Sequence, residues 1–169
     1  MSRAVILVEG LSDKAALEVL AGRLGVDLGA AGVAIEAMGG ATNIGRFAAL
    51  HGPGVFGLCD EAERGDFVRA GVNPFVCVAD LEDELIRALG VPAVEEVVAS
   101  LGETNRLRIF RQQPAQRGRA VAPALRRFIA TRSGAKLTYA RALTSALELS
   151  SVPAPLADVL AASLADCPA

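Results

Sequence analysis

The first eighty residues alternate short apolar runs with longer stretches of helical periodicity. Residues 3–8 hold an unbroken Ala-Val-Ile-Leu-Val run after Arg3 and read as a buried strand. Ser12 is placed to cap a helix whose apolar face is Leu17, Leu20, Ala21 and Leu24, with Gly25 closing it. A second strand is expected at 32–38, followed by Gly39-Gly40 and a helix at about 43–50. Gly52-Pro53-Gly54 marks a turn. A third strand at 55–59 runs into Asp60, a helix covers about 61–70, and a fourth strand spans 74–79 through Phe75, Val76, Cys77 and Val78. Strands alternating with helices of this length build βα units, and so a parallel sheet covered on both faces.

Beyond residue 80 the strand signals stop. Helices are predicted at about 81–89, 92–100, 104–113, 121–132, 135–149 and 155–166. Leu125/Phe128/Ile129 and Leu156/Val159/Leu160 carry the i, i+3, i+4 spacing of a buried helix face. Pro114 and residues 116–118 mark a loop, and Pro153 and Pro155 precede the last helix, where proline is tolerated. The fold class expected is α/β: a Rossmann-like four-stranded parallel sheet over residues 1–90, then a helical C-terminal extension, 91–169, packed on it.

Composition narrows the class. Of 169 residues, 52% are hydrophobic and 21% charged, enough for a packed core and against disorder. No apolar run approaches the ~18 residues of a membrane span, and the opening segment meets Glu9 too soon for a signal peptide. Cys59, Cys77 and Cys167 are odd in number and form no Cys-x-x-Cys pair, which argues against a disulfide framework or a cysteine zinc site and fits a cytoplasmic location. Charge adds an asymmetry. Residues 104–146 contain no acid but hold ten cations: Arg106, Arg108, Arg111, Arg117, Arg119, Arg126, Arg127, Arg132, Lys136 and Arg141. The rest of the chain has seven basic residues against 19 acidic ones. A basic segment suits a polyanion and an acidic body suits cations, although the two could also neutralise each other or form a solvated face.

Ligands bind beyond the carboxyl ends of strands in open parallel sheets. Three predicted strands end in acids: Glu9 with Asp13 a helical turn on, Asp60 with Glu61 and Glu63, and Asp80 with Glu82, Asp83 and Glu84. Crowded carboxylates repel unless a cation separates them, and an all-oxygen set selects Mg²⁺ or Mn²⁺. Each cluster also lies where a helix is expected to begin, so for any single cluster capping is the favoured reading; Glu9, which precedes the cap, is the exception, and its company with the other acids on one edge turns the reading towards a metal site. Other chemistries lack their motifs. There is no Gly-x-x-x-x-Gly-Lys-Ser/Thr, no Gly-x-Gly-x-x-Gly and no Gly-x-Ser-x-Gly. His51 in a Gly/Pro turn reads as surface, and Cys59 within a strand reads as core.

The run Val5-Ile-Leu-Val-Glu-Gly-Leu-Ser-Asp-Lys-Ala-Ala-Leu resembles the opening of a Toprim domain, with Gly57-Leu-Cys-Asp-Glu-Ala-Glu63 in the place of its Asp-x-Asp motif. Asp13, the Gly-Gly-x-x-Asn at 39–43, Leu81-Glu82 and the late Lys136 are similar to the variant found in overcoming-lysogenization-defect (OLD) nucleases. Those enzymes usually join an ATPase domain to the Toprim domain. No ATPase motif is present here, so the chain resembles the nuclease half standing alone, its ATPase supplied, if needed, by another chain. The resemblance covers residues 3–90 well and the helical part weakly, around 133–136. It implies Glu9 as metal ligand and acid/base, Asp13, Asp60, Glu63 and Glu82 as further ligands of Mg²⁺ or Mn²⁺, and Lys136 as the catalytic lysine near the scissile phosphate. The second aspartate of the motif would fall at 62, which is Ala62. The expected function is metal-dependent endonucleolytic hydrolysis of DNA, with Arg126, Arg127, Arg132 and Arg141 holding the backbone. The alternatives are a catalytically weak module binding nucleic acid or a partner ATPase, and a small-molecule phosphotransfer enzyme.

Overall fold

The computed structural model describes residues 4–52 and 54–166. Arg3, Pro53 and Cys167, which entered the expectations above, lie outside the described residues. Four parallel strands, β1 (Ala4–Val8), β2 (Val33–Ala37), β3 (Val55–Asp60) and β4 (Asn73–Cys77), stand in the order β2-β1-β3-β4. The chain leaves β1 through α1 (Leu11–Arg23) to the edge strand β2. It then returns past β1 through α2 (Ile44–His51) to β3, and reaches β4 through α3 (Arg64–Arg69). That reversal puts a topological switch point between β1 and β3, where an open α/β sheet leaves a crevice beyond its strand ends.

Alternation along β1 sends its side chains to two cores, and every residue of the strand is buried. Ala4, Ile6 and Val8 meet Ala16, Leu17 and Leu20 of α1. Val5 and Leu7 meet Ile44 of α2 and Phe67 of α3. Phe67 packs so closely on β3 that a Cβ at Gly57 would stand 2.4 Å from its Cδ1, which is why that strand position carries no side chain.

The remaining helices are α4 (Leu81–Leu89), α5 (Val91–Ser100), α6 (Thr104–Gln112), α7 (Val121–Ala130), α8 (Ala135–Ala146) and α9 (Ala154–Ala165). They share the larger core with the sheet. α8 packs along α1, and α9 lies across β1, β3 and β4. Leu125, Phe128, Ile129, Tyr139, Leu143, Leu156 and Val159 are all fully buried in the same cluster as Ile6 and Val8. Each such leucine or phenylalanine stabilises the fold by about 1.5–3 kcal/mol through burial. Phe110, Phe128 and Tyr139 add edge-to-face contacts with centroids 5.5 and 6.1 Å apart.

Several expected boundaries move, each for a local reason. α1 begins two residues earlier than a Ser12 cap allows: Gly10 is the cap residue, and its N–H donates to Asp13 Oδ2 at 2.9 Å. Leu24 falls at the exposed C-cap of α1 rather than on its buried face. Residues 61–63 form a turn, so α3 starts only at Arg64 and neither Asp60 nor Glu61 opens a helix. A 3₁₀ turn, Ala41–Asn43, precedes α2. β4 stops at Cys77, leaving Val78 exposed. α7 ends at Ala130 and α8 at Ala146, both short of their expected ends. Among the described residues no helix is long and apolar enough to cross a membrane.

Candidate functional site

Val8 of β1 pairs with Leu58 of β3, so Glu9 and Asp60 leave adjacent strands at the switch point, nearly level. The Gly39-Gly40 turn fixes Glu9 from the other side, with both backbone N–H groups donating to the Glu9 carbonyl, at 3.0 and 3.1 Å. Both glycines have positive φ, at 71° and 128°, which makes this double donation accessible to them and costly for other residues. Asn43 secures the turn through Nδ2 donating to the Met38 carbonyl at 2.9 Å. The Gly-Gly-x-x-Asn pattern is therefore a clamp on the backbone of Glu9.

The 61–63 turn decides the fate of the acids after β3. Glu61 points to solvent beside Arg64, Ala62 is exposed, and Glu63 folds back. Carboxylate oxygens of Glu9, Asp60 and Glu63 all lie within 4.8 Å of one another. Glu63 thus supplies the carboxylate that Ala62 lacks. The acids around α4 divide similarly. Asp80 caps the helix, its Oδ1 accepting the Asp83 N–H at 2.8 Å. Asp83 pairs with Arg87 at 2.8 Å, and Glu84 accepts the Val78 N–H at 2.8 Å. Glu82 enters a cavity of about 200 Å³ shared with Glu9, Ser12, Asp13, Asp60, Asp80 and Lys136. Lys136, from the start of α8, sets its Nζ 3.4 Å from Glu82 Oε2.

Burial and mutual repulsion hold four carboxyls of this region, Asp13, Asp60, Glu63 and Glu82, above their ordinary range. Burial is the largest cause throughout. It pushes Asp60 up to about 7, helped by Asp80 and Asp13. Glu63 rises to about 7 beside Glu9 and Asp60. Asp13 rises to about 6 beside Glu82 and Glu9, despite the Gly10 N–H. Glu82 is also raised, with Lys136 opposing the shift. For Lys136 burial disfavours the charge, but Glu82 and Asp80 outweigh it and the ammonium is stabilised. Glu63 Oε2 and Glu82 Oε1 are buried without a hydrogen-bond partner. Orphaned acceptors inside an all-oxygen cluster fit a hard divalent cation, which would pair them and relieve the repulsion. Glu9, Asp60 and Glu63 would hold it, with Asp13 and Glu82 in reach of the same cavity. Cys59 and Cys77, the cysteines among the described residues, are buried, and burial first, then neighbouring acids, push both thiols up.

The basic stretch is partly neutralised. Glu103, just ahead of it, accepts from Arg106 at 2.7 Å, Arg132 at 2.6 Å and the buried Tyr139 hydroxyl at 2.7 Å. Arg111 pairs with Glu95, and Arg126 donates to Asp80 Oδ2 at 2.7 Å from Nε. Glu103 therefore ties α6 and α8 to the turn between α7 and α8. Arg127 and Arg141 are exposed and, like Arg117 and Arg119, make no ion pair among the described residues. Arg119, Arg126, Arg127 and Lys136 line a groove of about 330 Å³ that meets the carboxylate cavity at Asp80 and Glu82. The sequence alone does not single out Arg119 or Asp80 as site residues. For Arg119 the only signal is the lack of a nearby acid in the chain. Asp80 is legible as a cap but not as the partner of Arg126. His51, expected at the surface, closes α2 half-buried with its Nε2 2.9 Å from Glu36 Oε2, and it lines neither the carboxylate cavity nor the groove.

Residues 1–52 match the family model described as "Overcoming lysogenization defect protein-like, TOPRIM domain". That span contains Glu9, Asp13 and the Gly39-Gly40 clamp. A search of curated protein sequences finds no match. Among solved structures, the chain superposes on the C-terminal region of the Burkholderia pseudomallei OLD protein with a TM-score of 0.75, at 20% identity, covering 99% of this chain and 100% of that one. The C-terminal region of the Xanthomonas campestris pv. campestris OLD protein gives a TM-score of 0.68 at 24% identity, covering 98% and 95%. The chain carries the OLD-protein-like Toprim signature in residues 1–52 and, through sheet and helices together, the fold of OLD-protein C-terminal regions.

Proposed function

We propose that this protein is a metal-dependent phosphodiesterase that cuts DNA as an endonuclease. One observation carries the reading: Glu9, Asp60 and Glu63 bring carboxylate oxygens within 4.8 Å of one another at the switch point, with Lys136 facing the same cavity. The match of residues 1–52 to the OLD-like Toprim model supports a nucleic-acid-related, metal-binding class. A divalent ion bound there would neutralise phosphate charge and lower the pKa of an attacking water. The chain's own groups do the rest. Glu9, held by the glycine clamp at its backbone, is placed to take a proton from that water. Lys136 is kept charged by Glu82 and stabilises negative charge gathering on the phosphate oxygens. The exposed arginines hold the strand without reading its sequence. An ATPase on a separate chain is a compatible partner.

The test is conversion of supercoiled plasmid to nicked and linear forms with Mg²⁺, Mn²⁺ or EDTA. Cleavage is expected with either metal, none in EDTA, and none from Glu9→Gln, whose gel-shift affinity stays close to that of the parent. A second reading, a binding module without chemistry, is favoured by Ala62. Absence of cutting in both metals, with DNA binding retained, would establish it.

A further inference from the structure

The groove beside the carboxylates has a distinct electrostatic build. It opens off the acidic cavity and shares Asp80, Glu82 and Lys136 with it, while its own wall is Arg119, Arg126 and Arg127. These arginines are not equivalent. Arg126 is braced: Nε donates to Asp80 Oδ2 at 2.7 Å, Nη2 stands 2.6 Å from the same oxygen, and Asp80 is itself fixed by the Asp83 N–H. Arg119 and Arg127 are exposed and carry no ion pair among the described residues. Elsewhere in the same stretch Arg106 and Arg132 are neutralised by Glu103, and Arg111 by Glu95. Arg108, Arg117 and Arg141 are also without an ion pair among the described residues, but of these unpaired guanidinium forks Arg119 and Arg127 are the two that line this groove, next to the carboxylate centre rather than within it. Planar forks of this kind recognise phosphate oxygens in pairs.

We infer that the groove is a subsite for an internucleotide phosphate neighbouring the one at the carboxylate centre. Arg119 and Arg127 hold it, and Arg126, braced by Asp80, shapes the wall between the two sites. The inference rests on the nucleic-acid reading above and adds to it a defined phosphate position that sets the register of the strand over the carboxylates.

The experiment reads binding without chemistry. Fluorescence anisotropy of a short labelled single-stranded oligodeoxynucleotide is followed against salt concentration in EDTA, for the full chain, the Arg119→Ala/Arg127→Ala double variant and Arg108→Ala. Arg108 lies against the separate α5–α6 cavity and bonds Asn105, so its removal deletes the same kind of charge away from the groove. The double variant is expected to bind about tenfold more weakly, and its log K against log salt slope to flatten by about 0.7, the value for one phosphate that is no longer neutralised. Arg108→Ala should keep the parent slope. Arg127→Lys should regain the slope but only part of the affinity, because lysine restores the charge without the fork. Unchanged affinity and slope in the double variant would overturn the inference, as would an equal loss in Arg108→Ala, which would mean a diffuse field. The plasmid assay is independent of this one. A protein that shows the slope change but cuts nothing loses the nuclease reading and keeps the subsite, and one that cuts with no slope change does the reverse.

Discussion

Binding of a divalent cation to the carboxylate cluster should release protons, and the structure says how many. Asp60 and Glu63 are each held up to about 7, and Asp13 up to about 6. At pH 7, therefore, Asp60 and Glu63 are each about half protonated and Asp13 about one-tenth, and a ligand oxygen must be deprotonated to coordinate. About one proton should leave per ion bound at pH 7. Between pH 8 and pH 6, protonation of Asp60 alone weakens apparent affinity about tenfold, and Glu63 raises the total to as much as ~100-fold. Stability of the metal-free protein should move the opposite way with pH. The folded pKa of these carboxyls is raised above the unfolded one, so the folded state binds more protons between about pH 4 and pH 7 and loses stability as pH rises through that window. Glu103 shifts the other way: although burial raises it, Tyr139, Arg106 and Arg132 outweigh that and lower it. Its contribution is lost only on further acidification, below the window in question. The assay is Mn²⁺ titration calorimetry at pH 6, 7 and 8 in two buffers of different ionisation enthalpy, beside thermal melts with and without the ion. The largest metal-induced rise in Tm should come at the highest pH. A pH-independent affinity with no proton released would refute the assignment of these carboxyls as ligands.

Three further outcomes are expected. Gly57→Ala places a methyl 2.4 Å from Phe67 Cδ1 and should lower stability by about 1–3 kcal/mol in urea unfolding, with Phe67→Leu recovering part of it; a neutral result would mean that α3 shifts freely on β3. Lys136→Met should reduce kcat for plasmid cleavage by about tenfold to a thousandfold while KM changes little, since the lysine acts on charge formed in the transition state, and an effect confined to KM would make it a binding residue. Ala62→Asp adds an acid beside Glu63 and should raise cleavage in Mg²⁺ relative to Mn²⁺; an unchanged ratio would show that Glu63 already completes the site.

The parallel sheet was legible because β1 is buried on both faces and its neighbours on one or both, so their apolar runs stand out in the chain. Strand order and the return of α9 across β1, β3 and β4 were not, since they depend on packing between segments far apart in the chain. The convergence of Glu9, Asp13, Asp60 and Glu82 on one edge followed from strand direction alone. What periodicity could not see was which acids are already engaged. Acids crowd residues 80–84, yet Asp80, Asp83 and Glu84 spend their oxygens on Arg126, Arg87 and the Val78 N–H, and Glu82 alone of these keeps a buried oxygen unpaired. The same holds for the arginines, whose clustering in sequence conceals the Glu103 and Glu95 pairs.

Ala62 shows how local geometry changes the meaning of a spacing. If a helix began at 61, as the sequence suggests, Asp60 would be its cap and residues 61–63 its first turn. Instead, residues 61–63 form a turn closed by the Glu63 N–H on the Asp60 carbonyl at 3.0 Å, and this brings the Glu63 side chain back over the strand end. The acid needed beside Asp60 is therefore supplied one position later than the Asp-x-Asp spacing expects, by a longer side chain that spans the difference. The longer arm has more rotamers to restrict, so the entropy of ordering it is larger than for an aspartate. A cluster built this way should bind its cation more weakly than one with an aspartate at 62 while keeping the same selectivity for hard ions, because the donor atoms are unchanged and only their restraint differs.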